Sequence, residues 1–422
     1  MQDARRADVE IIYEGKDITT PVNEYLKSFS YTDIASGESD RVQIDMHDVD
    51  MQWMDAWMPN KGDRISAVLA LKNWGTGGDS ARVYCGEFQL DEMSFKGRPT
   101  SVGLGAVSIP RDEPFNTEER TKTWEAVTVH QIAQEISLRA GVALYYEAGD
   151  ILIETIEQNE QTDCKFLYSV CADYGLAMKV YANRIIIFDE EAYENKPCIR
   201  DINEKEMEGW SYKSTMAGTY TGAVVSYTDP NNEKEYEVVI GGGKRILRVN
   251  ENVDSIEDAE RKGTAKLNNE NKKAVSMKIT MMADARVKAA ACINVTGLGG
   301  KLGGKYYIDK VTTKKGGSSI CQMTLDAHKV VPRIKGASVR AAGQEAAGEG
   351  LGGTAYTVVH GDTLWKIAKQ FYGRGQDYSD IYNANMETIE STAKGRGKKD
   401  SSHGHWIFPG TVLAIPAKEG EG

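Results

Sequence analysis

His403 and His405 stand one residue apart in a loop rich in glycine and serine, a pattern that could begin a metal site. Two imidazoles do not complete a coordination shell, and His47, His130, His328 and His360 are scattered along the chain, so no metal is assigned. Cys164 and Cys171 lie two helical turns apart, close enough to share one face, where cysteine serves equally as a small core residue. The run Asp189-Glu190-Glu191 holds adjacent carboxylates of the kind a glycosidase pairs, but its place at a strand end reads as a solvated turn. Gly241-Gly242-Gly243-Lys244 lacks the spacing of a phosphate loop and the hydroxyl residue after its lysine, and reads as a flexible turn. Trp53 and Trp57, with Met54 and Met58, repeat at i, i+4 and predict an apolar helix face for core or subunit contact. Nowhere do a nucleophile, a base and an orienting group occur together. The chain is read as a non-enzyme without a cofactor.

The elements that would position these groups come from a chain of 422 residues, enough for about two to four domains at roughly 150 residues each. Hydrophobic residues make up 41% and charged residues 27%, which excludes a wholly disordered chain. The net charge of −11 opposes general binding to a phosphate backbone, so no nucleic-acid specificity is expected. Six dispersed cysteines read as reduced thiols rather than a disulfide framework. Met1 to Asp8 are charged with no apolar segment behind them, and no apolar run is long enough to span a bilayer. Synthesis in a bacterial cytoplasm is expected, with any release by lysis.

Short β-type runs separated by turns fill residues 8 to about 110, including Val9–Tyr13, Arg41–Met46, Arg64–Leu71 and Arg82–Phe88. Helical periodicity follows: Thr128 is a candidate N-cap, with Val129, Ile132, Ala133 and Ile136 on one face. A helix over Asp163–Asp173 precedes strands Leu176–Tyr181 and Arg184–Asp189, joined by Ala182-Asn183. The β pattern resumes from 207, with a turn at Asp229-Pro230-Asn231-Asn232. A helix capped at Ser255 interrupts it, and strands follow at Val275–Met282, Ala290–Thr296, Lys305–Thr313 and Ser319–Ala327. Residues 336–354, mostly Gly, Ala and small polar side chains, cannot offset their own ordering entropy and should form a tether. The fold class is therefore β-rich α+β. Its expected divisions are an N-terminal β-barrel-like domain (1–117), an α/β insert (118–206), a second β-barrel-like domain with a helix (207–333), a linker (334–354) and a βααβ module (355–418).

That last module carries the most specific motifs. Tyr356-Thr357-Val358-Val359 reads as a strand and Gly361-Asp362 as a turn. Thr363 to Phe371 form a helix with Leu364, Ile367, Ala368 and Phe371 on one face, and Tyr378 to Asn385 a second helix. Pro409 to Pro416 return as a strand. This order closely resembles the LysM domain. The resemblance implies binding of glycans that contain N-acetylglucosamine, such as peptidoglycan, in a groove between the loop after the first strand and the loop before the second. Carried over, the glycan-binding residues are Gly361, Asp362, Thr363 and Leu364, with Pro409 and Gly410. A basic connection, Lys394 to Lys399 and His403 to Trp406, departs from the family's short link and should be a long solvated loop.

Most of residues 8 to 328 resembles the phage late-control D family of tail baseplate hubs. The similarity lies in the order of QTDCKFLYSVCADYGLAMKV, NRIIIFD, AVVSYTDPNNEKEY, the capped SIEDAERKGTAKLNNEN helix and GGKYYIDKVTTKK…QMTLDAHK. It implies a homotrimeric ring that joins a hexameric tail tube protein to a trimeric spike protein in a contractile tail or tail-like particle, beside other baseplate proteins. The LysM module would then contact peptidoglycan or a neighbouring baseplate protein. The alternative is a cell-wall protein or hydrolase anchored by its LysM module.

Overall fold

The computed structural model of the chain describes residues 4–74, 79–108, 114–216, 218–228, 234–317, 320–341, 354–358 and 361–416. Two compact units emerge, residues 1–342 and 343–422. The expected turn at 229–232, Ser319, His360 and most of the expected tether lie outside the described residues. Among the described residues, no helix is long and apolar enough to cross a membrane.

In the first unit, alternation of buried and exposed residues folds the strands Arg6–Tyr13, Leu26–Ile34, Arg41–His47, Arg64–Lys72, Ala81–Lys96 and Ser101–Val107 around one core. All their pairings are antiparallel. The outer edge of Arg6–Tyr13 is closed by side chains of the helix Thr19–Tyr25. Asn23 Oδ1 accepts from Val9 N–H at 3.1 Å, and Thr19 Oγ1 accepts from Ile11 N–H at 3.0 Å. Those contacts blunt an edge that could otherwise pair with another chain.

The opposite end of this sheet continues into the second β region. Residues 310–316 of the strand Gly304–Gly316 pair antiparallel with Leu26–Ile34, from Lys310 opposite Ile34 to Gly316 opposite Ser28. The other side of the strand pairs with Cys321–Lys329, which pairs with Val275–Met282, and Met207–Ser214 ends the row. A thirteen-stranded sheet therefore runs through both β regions, with a separate core in each.

The α/β insert lies between them in sequence. A ribbon of Glu119–Thr128 and Leu152–Thr162 leads to the helices Val129–Arg139 and Asp163–Asp173, and the strands Leu176–Tyr181 and Arg184–Asp189 form a hairpin. Thr128 makes the predicted cap and closes a capping box with Gln131. The two-residue turn Ala182-Asn183 has φ of +46° and +58°, the left-handed pair that follows strand twist.

The second β region contributes to two sheets rather than one. Ile246–Val249, Gly222–Thr228, Glu235–Gly241 and Ala337–Ala341 form a small sheet under the helix Ile256–Asn271. A Cβ on Gly263 would meet Ile240 Cδ1 at 2.4 Å and Val225 Cγ2 at 2.6 Å, so helix and sheet approach this closely only because that residue is glycine. Residues 337–341, assigned by composition to the tether, are instead a strand paired with Glu235–Gly241. Arg340 fastens it through an ion pair with Glu237 at 2.6 Å. Backbone pairing needs no apolar side chains, and this is why composition misassigns the segment. The expected helix over 53–58 is also absent: a 3-10 turn covers Gln52–Met54, Trp53 is buried, and Met54, Trp57 and Met58 are exposed.

Three parts of the unit meet at one buried cation. Lys179 of the insert forms an ion pair with Asp33 and another with Asp40 at 3.0 Å, and donates to Ile34 O at 2.9 Å. Asp33 Oδ2 accepts from Ala289 N–H of the second β region at 2.8 Å. Burial raises the Asp40 carboxyl above its ordinary range although Lys179 pulls it down, and the two carboxylates hold Lys179 protonated against its own burial. Replacing Lys179 with methionine leaves two buried acids without their cation. The expected loss is about 3–5 kcal/mol in denaturant unfolding of the full chain, with Lys179→Arg losing less.

Candidate functional site

The second unit pairs Thr354–Thr357 antiparallel with Val412–Ile415 and packs the helices Leu364–Tyr372, Tyr378–Ala384 and Met386–Gly395 around Val358, Ile367, Ile381 and Leu413. The third helix corrects the expected two-helix order, since part of the supposed basic loop is helical. Asn385 fixes this packing. Its side chain is buried, donates to Ile381 O and Ala414 O at 2.7 Å each, and accepts from Ala414 N–H at 2.7 Å. Few hydrogen-bonding positions on this amide remain open.

Antiparallel pairing brings the loop after the first strand and the loop before the second to the same end of the sheet. Val358 N–H donates to Thr411 O at 2.9 Å and Gly410 N–H to Val358 O at 2.8 Å, so the Pro409-Gly410 turn lies against the start of the first loop. Gly361 and Gly410 have φ of +91° and +89°, with open space where a Cβ would stand. Thr363 caps its helix by accepting from Lys366 N–H at 3.2 Å, while Lys366 Nζ donates to Gly361 O at 2.9 Å. Asp362 accepts from the Tyr356 hydroxyl at 2.7 Å. Leu364 is buried in the core, so its side chain cannot line a groove. Gly361, Thr363, Pro409 and Gly410 are exposed and Asp362 is half-buried.

The basic connection folds back on aromatic rings. Lys398 Nζ lies 3.9 Å from the Trp406 ring centre, and Arg396 stands 5.6 Å from that of Phe408. His403 and His405 are exposed and pack against different rings, Tyr382 and Trp406. Glu390 anchors the loop: its carboxylate accepts from Ser401 N–H at 2.9 Å, from the Ser401 hydroxyl and from the Tyr382 hydroxyl at 2.8 Å. Among the described residues, no three His, Cys, Asp or Glu side chains are grouped to hold a metal.

The first unit holds a charged cluster that motif reading missed. Glu190 is buried rather than part of a solvated turn, and pairs with Lys272 at 2.8 Å and Arg333 at 3.3 Å. Arg333 also reaches Glu194 at 2.7 Å. His328 joins Glu194 through Nε2 at 3.3 Å and Asp309 through Nδ1 at 2.8 Å. Burial alone would lower the imidazole, but hydrogen bonds to Asp309 and Glu194 outweigh it and raise it to about 9. Burial likewise pushes Glu194 up, yet its bonds to His328 and Arg333 hold it at about 2. The partners lie as far as 143 residues apart in sequence, so no local motif announces them. Cys164 and Cys171 are buried on their helix, and burial pushes both thiols up to about 12.

Two kinds of architecture are thus built into one chain: a long sheet with an α/β insert, and a small module of two strands and three helices. Residues 356–393 match the LysM domain. Over 235 residues the chain is 24% identical to the "Probable baseplate hub protein" of Escherichia phage P2, covering 54% of the chain and 58% of that protein. It is 25% identical over 232 residues to the protein of the same name in Escherichia phage 186, covering 52% and 56%. The chain thus spans little more than half the length of these relatives. The 43 kDa tail protein of prophage MuSo2 from Shewanella oneidensis shares the fold with a TM-score of 0.58 at 12% identity, over 76% of this chain and 98% of that one. The chain is a homologue of phage baseplate hub proteins that carries a C-terminal LysM domain.

The raised His328 value gives the cluster a defined pH dependence. Stability from the imidazolium is complete below its ordinary value of 6.5 and is lost as pH rises through about 9. The thermal midpoint of the first unit should fall across that window, equivalent to roughly 3 kcal/mol, and His328→Gln should flatten the fall.

Proposed function

We propose that this chain is the structural hub of a contractile phage tail or tail-like particle. Three copies would close a ring that seats a hexameric tail tube on one side and a trimeric spike on the other. The observation that carries this reading is the sheet that passes without a break through both β regions, in a chain related to phage baseplate hubs. Joined in this way, each protomer presents two β bodies as one rigid piece, and a closed threefold ring would then offer a pseudo-sixfold face. The chain is made in the bacterial cytoplasm and leaves with the particle on lysis.

In the LysM module, the exposed turn residues Gly361, Asp362, Thr363, Pro409 and Gly410 would hold an N-acetylglucosamine-containing strand, chiefly through backbone groups. Leu364 supports this loop from the core. Peptidoglycan or a neighbouring baseplate protein is the partner of this surface. A wall-bound protein or hydrolase is the second reading, favoured only by the LysM match.

Sedimentation of particles from producing cells, followed by quantitative mass spectrometry, tests the hub. Recovery with tube and sheath proteins at about three copies per particle is expected from threefold closure. A chain found only free or on the wall overturns the reading. For the module, co-sedimentation of the full chain with purified peptidoglycan should weaken in Gly410→Val, which forces a branched residue to φ of +89°. Soluble sugar released in that experiment would favour the hydrolase instead.

A further inference from the structure

Between residues 394 and 406 the chain carries four lysine and arginine side chains against the single acid Asp400, in a protein whose net charge is −11. The segment starts just past residue 393, where the match to the LysM domain ends. Such a reversal of sign on an acidic chain makes a local field that attracts anions. Arg396, Lys398 and Lys399 are exposed, and among the described residues none of them forms an ion pair. The neighbouring acids are engaged elsewhere: Glu390 binds Ser401 and Tyr382, and Asp400 accepts from Ser402 N–H at 2.9 Å.

The backbone of this segment is fixed by its own hydrogen bonds. Arg396 N–H donates to Thr392 O and Lys398 N–H to Ala393 O, so the chain turns directly off its helix, and Trp406 N–H closes the next turn on Ser401 O at 2.9 Å. Gly404 seats that second turn. A Cβ there would meet Leu364 Cδ1 at 2.3 Å and Tyr382 Cδ2 at 2.9 Å, so the turn rests on the residue that ends the first glycan-type loop. Two of the cations are held over rings, Lys398 over Trp406 and Arg396 over Phe408, and Phe408 leads straight into Pro409-Gly410. Side chains placed in advance lose less freedom when they meet a ligand. Three unpaired cations are therefore displayed beside the two exposed turns of the module.

We propose that this segment binds a bacterial wall polymer of repeating phosphodiesters, next to the turns that would hold the sugar strand. The proposal rests on the reading that the module contacts the wall, and it adds a second chemistry there. The Arg396 fork can pair with two oxygens of one phosphate, while Lys398 and Lys399 act as point charges. Successive phosphates on a flexible chain can reach all three cations, which one small anion cannot. Single-stranded nucleic acid carries the same charge but also stacks its bases on aromatic faces. Trp406 and Phe408 each have a cation of the segment over one face, and His405 packs at right angles to Trp406 at 5.0 Å. The segment thus offers charge in preference to stacking surface, which favours a polymer without bases.

The test uses the full chain and one bacterial wall that carries a glycerol-phosphate polymer, prepared intact and stripped of that polymer with cold hydrofluoric acid. Co-sedimentation with intact wall should be about tenfold tighter at low salt, and three phosphate contacts on a flexible chain should give its affinity a log–log salt slope of about −2. Arg396→Gln combined with Lys398→Gln and Lys399→Gln should abolish the difference between the walls and flatten the salt dependence, with binding to stripped wall unchanged. Lys399→Gln alone, which disturbs no ring contact among the described residues, should give a smaller loss and keeps the test valid if the triple variant misfolds. Soluble poly(glycerol phosphate) should compete for the chain. Equal binding to the two walls, binding to neither, or a difference that survives the triple substitution overturns the proposal. Competition by polyuridylate as strong as by poly(glycerol phosphate) of equal charge would give the segment to nucleic acid and overturn it as well. Binding to intact wall alone supports the proposal while removing the sugar-binding reading of the two turns, so the two fail separately.

Discussion

The strand Gly304–Gly316 is the constraint on which the body depends. Its first residues pair with Cys292–Thr296 in the second β region, and its last seven extend the first sheet along Leu26–Ile34. The change of partner occurs at Asp309, where the register with Cys321–Lys329 shifts. A bulge there bends the strand and frees a residue from the ladder. Asp309 uses that freedom twice: its carbonyl accepts from Ala35 N–H at 2.9 Å and its carboxylate holds His328. The same backbone edge therefore serves two partner strands in succession within one sheet.

Two clusters of buried charge lie at the seams, while a third, Asp163 with Arg139, lies within the insert. Lys179 links the insert to Asp33 and Asp40 on one side of the body. Arg333, Glu190, Glu194 and His328 link the insert to the second β region on the other. An ion pair at such a junction adds little net stability compared with apolar packing, but it strongly penalises wrong registers, because a shifted strand would leave a charge unpaired in the interior.

The sequence discloses those features that are written locally. Thr128, Ser255 and Thr363 announce helix starts because a cap involves neighbours three residues away, and Ala182-Asn183 announces its hairpin for the same reason. The LysM loops are legible through their spaced motifs. Pairing over long separations is not. Ala337–Ala341 looks like a tether because its partner strand lies about a hundred residues upstream, and the pair Arg340–Glu237 is invisible in either segment alone. Glu190 reads as a solvated acid until Lys272 and Arg333 arrive from distant parts of the chain. Leu364 falls within the groove motif, yet its side chain belongs to the core, because the helical face that holds Ile367 and Ala368 also holds Leu364.

The two edges of the long sheet are treated unequally, and this asymmetry limits how another strand could be added to it. Asn23 and Thr19 occupy the backbone groups of Val9 and Ile11, so that edge cannot recruit a further strand without losing those bonds. At the far end, Met207–Ser214 pairs among the described residues on one side only, with Val275–Met282, and its side chains are largely exposed, Trp210 among them. A ring built by joining sheet edges would need both ends open. With one end closed, a ring of the proposed kind would use side-chain surfaces at least on the Arg6–Tyr13 side, and the apolar loop at 49–58 extends from that same β region.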